Sequence, residues 1–467
     1  SSVSIASHLK SPCPQLAEVT DTVVDTFHDL NKAVMLRVYK KYNSPYNHNY
    51  IKVVDFIHYP EMMGAYPKLS LNPMLKIEAE MRRYYPYGKY AAHIVGYTGK
   101  SNQKENAKDP VVKEVGKIGK TGMERQYNDI LQGELGHMVS KVTATNKVIE
   151  VLEKVAPKDN RNIQLNIDIN LQTMIHKRFG DEAGVAIFMR TNGDILAAVS
   201  YPSFDPNLFV GGISVKNWKA LQENVDRPFT NKFVHGTYPP GSTIKMGMAL
   251  AFSKAKENIL DHEEYCSGYI TLGRHKHKFR CWSRWGHGKV GLRKAIRESC
   301  DVFFYNKSLK VGINAMAKHL REFGLGVKSG VDMPREFSGV MPDKAWKKRR
   351  YNQPWYMGET VIASIGQGYD LVTPLQVSRY TALLATSRLV TPKIAKVIDG
   401  KEVEKESKTI AFDPKYHKII KEGMYDVCNH KKGTAFKTLS KLPVVVAGEK
   451  GNSQVVLIPE DTKKPHQ

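Results

Sequence analysis

The apolar positions of this chain change their spacing about a third of the way along it. Before that point they recur at helical intervals in a charged, irregular setting, as from Leu16 and Ala17 to Val38. A tyrosine-rich stretch, Arg83-Tyr84-Tyr85-Pro86-Tyr87-Gly88, then leads into Ala91 to Tyr97. Residues 105–120 hold many lysines and few large apolar groups, which predicts an exposed loop before Thr121-Gly122-Met123-Glu124-Arg125 opens a helix. From Gln164 the texture differs: Leu165-Asn166-Ile167-Asp168 alternates like a strand, and Leu171 to Phe179 is spaced for a helix. Two apolar strands follow, 184–189 and 195–199, joined through Thr191-Asn192-Gly193-Asp194, where Asn-Gly is a strong turn signal. Long helical stretches come next. The pattern predicts an α+β protein of two domains, residues 1–160 and 161–467, with the boundary near Pro157 to Arg161.

Composition narrows the class. A chain of 467 residues with 41% hydrophobic content can fill the cores of two or three domains. Lys and Arg outnumber Asp and Glu by 70 to 46, and the resulting charge of +24 favours a polyanionic partner or an acidic membrane surface. Nucleic acid is set aside as that partner, because the chain has no basic recognition helix, RNA-binding aromatic signature or finger spacing. No apolar run approaches the roughly 20 residues needed to cross a bilayer. The opening Ser1-Ser2-Val3 has neither an initiator Met nor a signal peptide, so the sequence reads as a soluble fragment of something larger.

The candidate chemistry begins at Ser242-Thr243-Ile244-Lys245. On a helix, an i, i+3 spacing stacks hydroxyl and amine on one face, where they can share a proton. An amine becomes a usable base for serine when burial lowers its proton affinity. The tetrad alone decides little, since it recurs at Ser7/Lys10, Ser101/Lys104 and Ser253/Lys256. Context separates Ser242: Tyr238-Pro239-Pro240-Gly241 breaks the chain before it and the apolar run Met246 to Phe252 follows. That places the serine at a buried helix start, where free N–H groups favour negative charge. The competing reading is an N-cap serine and nothing more. A second element, Ser299-Cys300-Asp301 followed by Val302-Phe303-Phe304-Tyr305, matches the Ser-x-Asn/Asp part of the penicillin-binding signature.

With these flanks the chain resembles the class B penicillin-binding proteins, most closely the penicillin-binding protein 2 subgroup of the rod-elongation machinery. Gly358-Glu359-Thr360, Ile365-Gly366-Gln367-Gly368-Tyr369 and Val372-Thr373-Pro374-Leu375-Gln376 resemble the same family. Arg83 to Gly96 and Gly119 to Glu124 resemble its non-catalytic pedestal. The resemblance implies a penicillin-binding/serine β-lactamase-like transpeptidase domain, an antiparallel sheet with helices, on an elongated N-terminal pedestal used for dimerisation and partner binding. It implies that Ser242 attacks the penultimate D-Ala carbonyl of a peptidoglycan stem, that Lys245 takes its proton, and that Ser299 relays a proton to the leaving D-Ala, with Asp301 beside them. The N–H of Ser242 would be an oxyanion donor, a group typically worth about 2.7–4 kcal/mol.

The family's third motif is Lys-Thr/Ser-Gly on a strand lining the cleft, and the matching segment here reads Gly448-Glu449-Lys450-Gly451-Asn452-Ser453. Glu449 falls where Lys is expected, and Lys450 cannot replace it on a strand because successive side chains point to opposite faces. At about 4 Å and an effective dielectric near 20, exchanging attraction for repulsion toward a substrate carboxylate changes the interaction by roughly 8 kcal/mol before screening. Relatives also continue beyond this motif with strands and a helix that complete the sheet, whereas this chain ends at Gln467. The transpeptidase domain therefore reads as incomplete at its C-terminus. Two functional readings stay open: an active D,D-transpeptidase, and a penicillin-binding scaffold impaired in catalysis. A β-lactamase or sensor would leave the long first domain unexplained.

Cys266, Cys281, His287 and Cys300 form a C-x14-C-x5-H-x12-C set, the residue types of a closed tetrahedral structural zinc site. The alternative is a disulfide between Cys266 and Cys281, suited to an oxidising compartment. The resemblance favours zinc, since the subgroup holds zinc beside its active site, and a metal on Cys300 would support Ser299 and Asp301 from behind. Cys13 and Cys428 have no assignment. Trp282 and Trp285 line the cleft or pack the zinc loop. The resemblance also implies stem peptides and a lipid-linked precursor as substrates, β-lactam antibiotics as ligands, and no organic cofactor. Its implied partners are a SEDS-type glycan polymerase and the elongation scaffold protein. The implied location is the periplasmic face of the bacterial inner membrane, with the anchor absent from this chain.

Overall fold

The computed structural model describes residues 1–8, 14–57, 59–79, 82–404 and 406–453. Cys13 and the residues from Gln454 onward lie outside that set. The chain forms two compact units, one of residues 1–162 with 204–223, the other of residues 163–203 with 224–467.

The first unit is built on a three-stranded antiparallel sheet in which Ser2–Ile5 lies between Ile51–Val54 and Leu75–Glu78. All four residues of the central strand are buried. Helices Pro14–Thr26, Lys32–Tyr42 and Tyr59–Ser70 supply Leu16, Val19, Met35, Tyr39, Met62 and Leu69 to the same core. Asn31 starts the second of these by accepting from the N–H groups of Ala33 and Val34.

The loop expected over 105–120 is instead largely regular. Helix Gln103–Asn106 is fixed by a reciprocal cap between Asn102 and Glu105. Helix Pro110–Val115 starts on Asp109 and ends on left-handed Gly116, and Lys117–Gly119 then pairs with Thr98–Lys100. The lysines report which side chains face water. The caps decide the backbone. Nearby, Arg83 Nε lies 3.0 Å from Glu124 Oε1, and the Tyr85 hydroxyl donates to the same carboxylate at 3.2 Å. Burial raises the proton affinity of Glu124, and Arg83 opposes the rise. Gly96, with φ of +79°, lets this turn close: a Cβ there would stand 1.9 Å from Thr121 O.

Strands His137–Val142 and Val148–Val155 form a two-stranded ribbon that leaves Met138, Val139, Ile149, Val151, Leu152 and Val155 exposed.

In the second unit the predicted hairpin is present as Gly184–Met189 paired with Ile195–Tyr201. The strand expected from Leu165 to Asp168 lies earlier, at Ile163–Leu165, and shares Leu165 alone with it, because Asp168 caps helix Ile169–Arg178 through the N–H groups of Asn170 and Leu171. Ile163–Leu165 pairs with Ala395–Ile398, which pairs on its other side with Lys401–Glu402. Among the described residues every pairing between strands is antiparallel. At the centre lies helix Lys245–Ala255, whose residues from Lys245 to Phe252 are all buried. A helix apolar on every side belongs inside a core, and this one packs among helices Asp301–Val311, Ile313–Glu322 and Pro374–Thr386. No described helix is long and apolar enough to cross a membrane.

Candidate active site

Gly241–Ile244 forms a 3-10 turn that runs directly into helix Lys245–Ala255. Ser242 sits inside this turn, and the caps of the two helices are Pro240 and Ile244, so Ser242 is the N-cap of neither. The turn is clamped from behind. Gly241 N donates to Gly366 O at 2.9 Å, and Tyr238 and Val372 exchange backbone hydrogen bonds, each 2.9 Å. Gly366 has φ of +70°, and a Cβ on it would stand 2.4 Å from Gly241 O. Only glycine admits this approach, which gives the Ile365-Gly366-Gln367-Gly368 segment its physical role. Thr373, next to Val372, caps helix Pro374–Thr386 reciprocally with Gln376.

Lys245 is wholly buried, and its Nζ donates to Asp301 Oδ1 at 2.6 Å, to Ser299 O at 2.9 Å and to Ser299 Oγ at 3.0 Å. Three donors and three acceptors satisfy an ammonium. Ser299 is held at φ of +50°, a conformation uncommon outside glycine, which aims both its oxygens at the amine. Asp301 uses its second oxygen to accept from Trp282 N at 2.9 Å. Burial raises its proton affinity, and the Lys245 ammonium counters that. The structure thus gathers Lys245, Ser299 and Asp301 into one hydrogen-bonded cluster, with Ser242 one helical turn from Lys245.

The third-motif segment also reaches this place, in a different form from the expected strand. Residues 443–453 pair with no strand among the described residues, and single contacts anchor them instead. Asn429 Nδ2 donates to Val446 O at 2.9 Å, Gly448 N to Met424 O at 3.1 Å, and Gln367 Nε2 to Asn452 O at 3.3 Å. Gly451 lies against the nucleophile turn, where a Cβ would stand 2.9 Å from Thr243 Cγ2. Glu449 is turned inward and Lys450 is exposed. Both carboxyl oxygens of Glu449 are shielded from solvent and complete no hydrogen bond of good geometry, although Ser299 is near enough to ease its ionisation. Burial pushes Glu449 up to about 8, against the pull of Lys245 and Ser299.

Cys266, Cys281, His287 and Cys300 converge, with one ligand atom from each lying within 4.8 Å of all the others. The three cysteines are buried free thiols. His287 Nδ1 lies 3.5 Å from Cys266 Sγ and 3.6 Å from Cys281 Sγ. Tetrahedral zinc with ordinary Zn–S and Zn–N bond lengths sets a sulfur–nitrogen edge of about 3.6 Å, so the residues fit the ion. Cys300 holds the Cys281 thiol well below its ordinary range and His287 assists, while Cys281 and burial push Cys300 up. The loop closes because Gly286, at φ of +76°, lets its backbone pass Cys266 O, from which a Cβ would stand only 2.1 Å. Trp282 is 62% exposed, its ring centroid lies 5.5 Å from that of His287, and its N–H donates to Glu298 O and Ser299 O. Trp285 is 97% exposed and packs nothing.

Sequence reasoning missed Tyr380, whose hydroxyl accepts from Gly247 N, and the buried Lys347–Glu359 ion pair. Gly358-Glu359-Thr360 was the signal for the pair; Tyr380 left none. A cavity of about 840 Å³ between strand Gly184–Met189 and helix Pro374–Thr386 adjoins the turn at Pro240 and Thr243 but contains none of the clustered polar residues.

Residues 183–460 match the penicillin-binding protein transpeptidase domain, and residues 3–165 the penicillin-binding protein dimerisation domain. The peptidoglycan D,D-transpeptidase MrdA of Escherichia coli is 35% identical over 399 residues, 82% of this chain and 63% of that protein. This chain therefore spans somewhat under two thirds of the length of that relative. Among solved structures, penicillin-binding protein 2 of Helicobacter pylori in complex with MreC is 39% identical, with a TM-score of 0.87 over 97% of this chain and 84% of that one. Pseudomonas aeruginosa penicillin-binding protein 2 in complex with WCK 5153 is 36% identical, with a TM-score of 0.72 over 81% of this chain and 82% of that one. The glycine clamp behind Ser242, the Lys245 cluster and these matches together identify the chain as a member of the penicillin-binding protein family, with a dimerisation domain preceding a transpeptidase domain of the penicillin-binding protein 2 type.

Proposed function

We propose that this chain carries the acyl-transfer site of a peptidoglycan D,D-transpeptidase that cross-links stem peptides during cell elongation. The observation that carries the reading is the hydrogen-bonded cluster of Lys245 with Ser299 and Asp301, one helical turn along the chain from Ser242. Ser242 Oγ bonds to the penultimate D-Ala carbonyl carbon while its proton passes to Lys245, which has first handed one of its three to the Asp301 carboxylate across their hydrogen bond. The amide C–N bond then breaks, and Ser299 delivers a proton to the leaving D-Ala amine. An amine from a neighbouring stem attacks the ester, forms the cross-link and returns the serine its proton. The Ser242 N–H, in the first turn where no intrahelical partner exists, stabilises the oxyanion. A β-lactam opens its ring on the same serine and stays as a slow ester.

Zinc is the ion the Cys266, Cys281, His287 and Cys300 set would hold, as a structural ion that fixes the chain on either side of Cys300. The reaction needs no organic cofactor. The working place is the periplasmic face of the inner membrane, where the charge of +24 suits anionic lipid and a lipid-linked precursor. A SEDS-type polymerase and the elongation scaffold are the partners, docking on the first unit, whose apolar ribbon is the kind of exposed patch that marks an interaction surface.

Glu449 favours a second reading, a scaffold impaired in turnover, because it puts an acid where the family holds a cation. The test supplies a stem pentapeptide with a D-amino acid acceptor and follows D-Ala release. Ser242-dependent release with exchange supports the transpeptidase. No release by this chain, together with release by a Glu449→Lys, Lys450→Thr double variant, supports the scaffold.

A further inference from the structure

Both carboxyl oxygens of Glu449 are shielded from solvent and complete no hydrogen bond of good geometry, with the Ser299 side chain and the Lys450 N–H close by. We infer that Glu449 is a charge filter: the cleft beside Ser242 takes acyl donors that present a hydrogen-bond donor, such as a carboxamide, more readily than donors ending in a carboxylate, which enter only while Glu449 carries a proton. The inference rests on Ser242 being the acyl-transfer nucleophile.

The geometry supports it from several sides. The anchors at Val446, Gly448 and Asn452 hold the main chain on both sides of Glu449. Gly451 is wedged against Thr243, so Glu449 stands beside the nucleophile turn. The titratable groups that face it are Lys245 from the central helix, Asp301 from the start of helix Asp301–Val311, Tyr380 from helix Pro374–Thr386 and Cys428 from helix Pro414–Asn429. Lys245 is the one cation among them, and its three hydrogens are spent on Ser299 and Asp301. Exposed Lys450 cannot offset the charge. A carboxylate arriving here meets a second carboxyl in a dry site, and two such groups do not both ionise. A carboxamide offers its N–H to the unsatisfied oxygens and needs no proton.

The sign with pH follows. Below about 8 Glu449 is a neutral acid that can donate to an incoming carboxylate; above it the ionised form repels that ligand and still accepts from an amide.

The test uses two N-acyl-D-alanyl thioesters, of mercaptoacetic acid and of mercaptoacetamide, on this chain and on Glu449→Gln. In each reaction the Ser242 Oγ–acyl bond forms, the C–S bond breaks and the serine proton leaves with the thiol. Acylation is read by mass at Ser242 as a function of pH. Near pH 8, where about half of the chains hold the Glu449 proton, the amide should react about two-fold faster than the acid, and the acid-to-amide ratio should fall about five-fold to pH 9 and close to ten-fold for each unit beyond that. Glu449→Gln should flatten the ratio against pH. A ratio that does not fall between pH 7 and 10, or that keeps its slope in Glu449→Gln, overturns the inference and leaves the acyl-transfer reading intact. If neither thioester acylates the chain or the variant, the acyl-transfer reading fails and takes the inference with it.

Discussion

Lys245→Ala should lower the rate of Ser242 acylation by about 10²–10⁴-fold, the range that a positioned general base contributes. The expectation follows from where the amine lies. It is completely buried, one helical turn from the serine, and bonded to three acceptors on Ser299 and Asp301. Removing it also strands Asp301 in a site that already disfavours its charge, so that carboxyl takes up a proton. Stopped-flow acylation with the carboxamide thioester measures the rate with a donor whose entry does not depend on the protonation of Glu449. Thermal unfolding of the same variant separates lost chemistry from lost fold. A loss under ten-fold with an unchanged melting temperature would show that another group takes the proton.

Stripping metal from the Cys266, Cys281, His287 and Cys300 set should lower the melting temperature by on the order of 10 °C, as loss of several kcal/mol from a domain of this size requires. Elemental analysis of the purified chain should find about one zinc per chain, and Cys281→Ser should both lose the metal and reproduce the drop. Three buried cysteines and one imidazole nitrogen gathered within 4.8 Å of one another form the donor set of a structural zinc site. Because Cys300 lies between Ser299 and Asp301, metal loss should slow acylation too, but the melting temperature is the cleaner measure. Absence of metal, with Cys266 and Cys281 oxidised to a disulfide, would refute the assignment.

Much of the site was legible because its parts are short and local. Ser242 and Lys245 share one helix start, and Ser299 and Asp301 share one turn, so each half is a motif in the sequence. That the halves meet follows from an all-apolar helix which must be buried. The cysteine set could be read by residue type, but the sequence could not show that His287 Nδ1 lies near two of the sulfurs. Other features left no pattern. The Arg83–Glu124 pair and the Tyr380 hydroxyl on Gly247 join positions far apart in the chain. Residues 105–120 misled because lysine content describes a surface, whereas Asn102, Asp109 and Gly116 set the backbone. For Glu449 the residue was readable and its direction was argued from strand alternation, yet the segment forms no strand, and it is the anchors at Val446, Gly448 and Asn452 that point it inward.

The central claim is that Ser242 is the acylated residue, and prolonged incubation with a fluorescent penicillin followed by denaturing separation and peptide mapping tests it directly. One slowly formed adduct per chain, confined to the peptide that contains Ser242 and absent from Ser242→Ala, is the predicted result. Label that persists in Ser242→Ala, or that maps to another peptide, would contradict it.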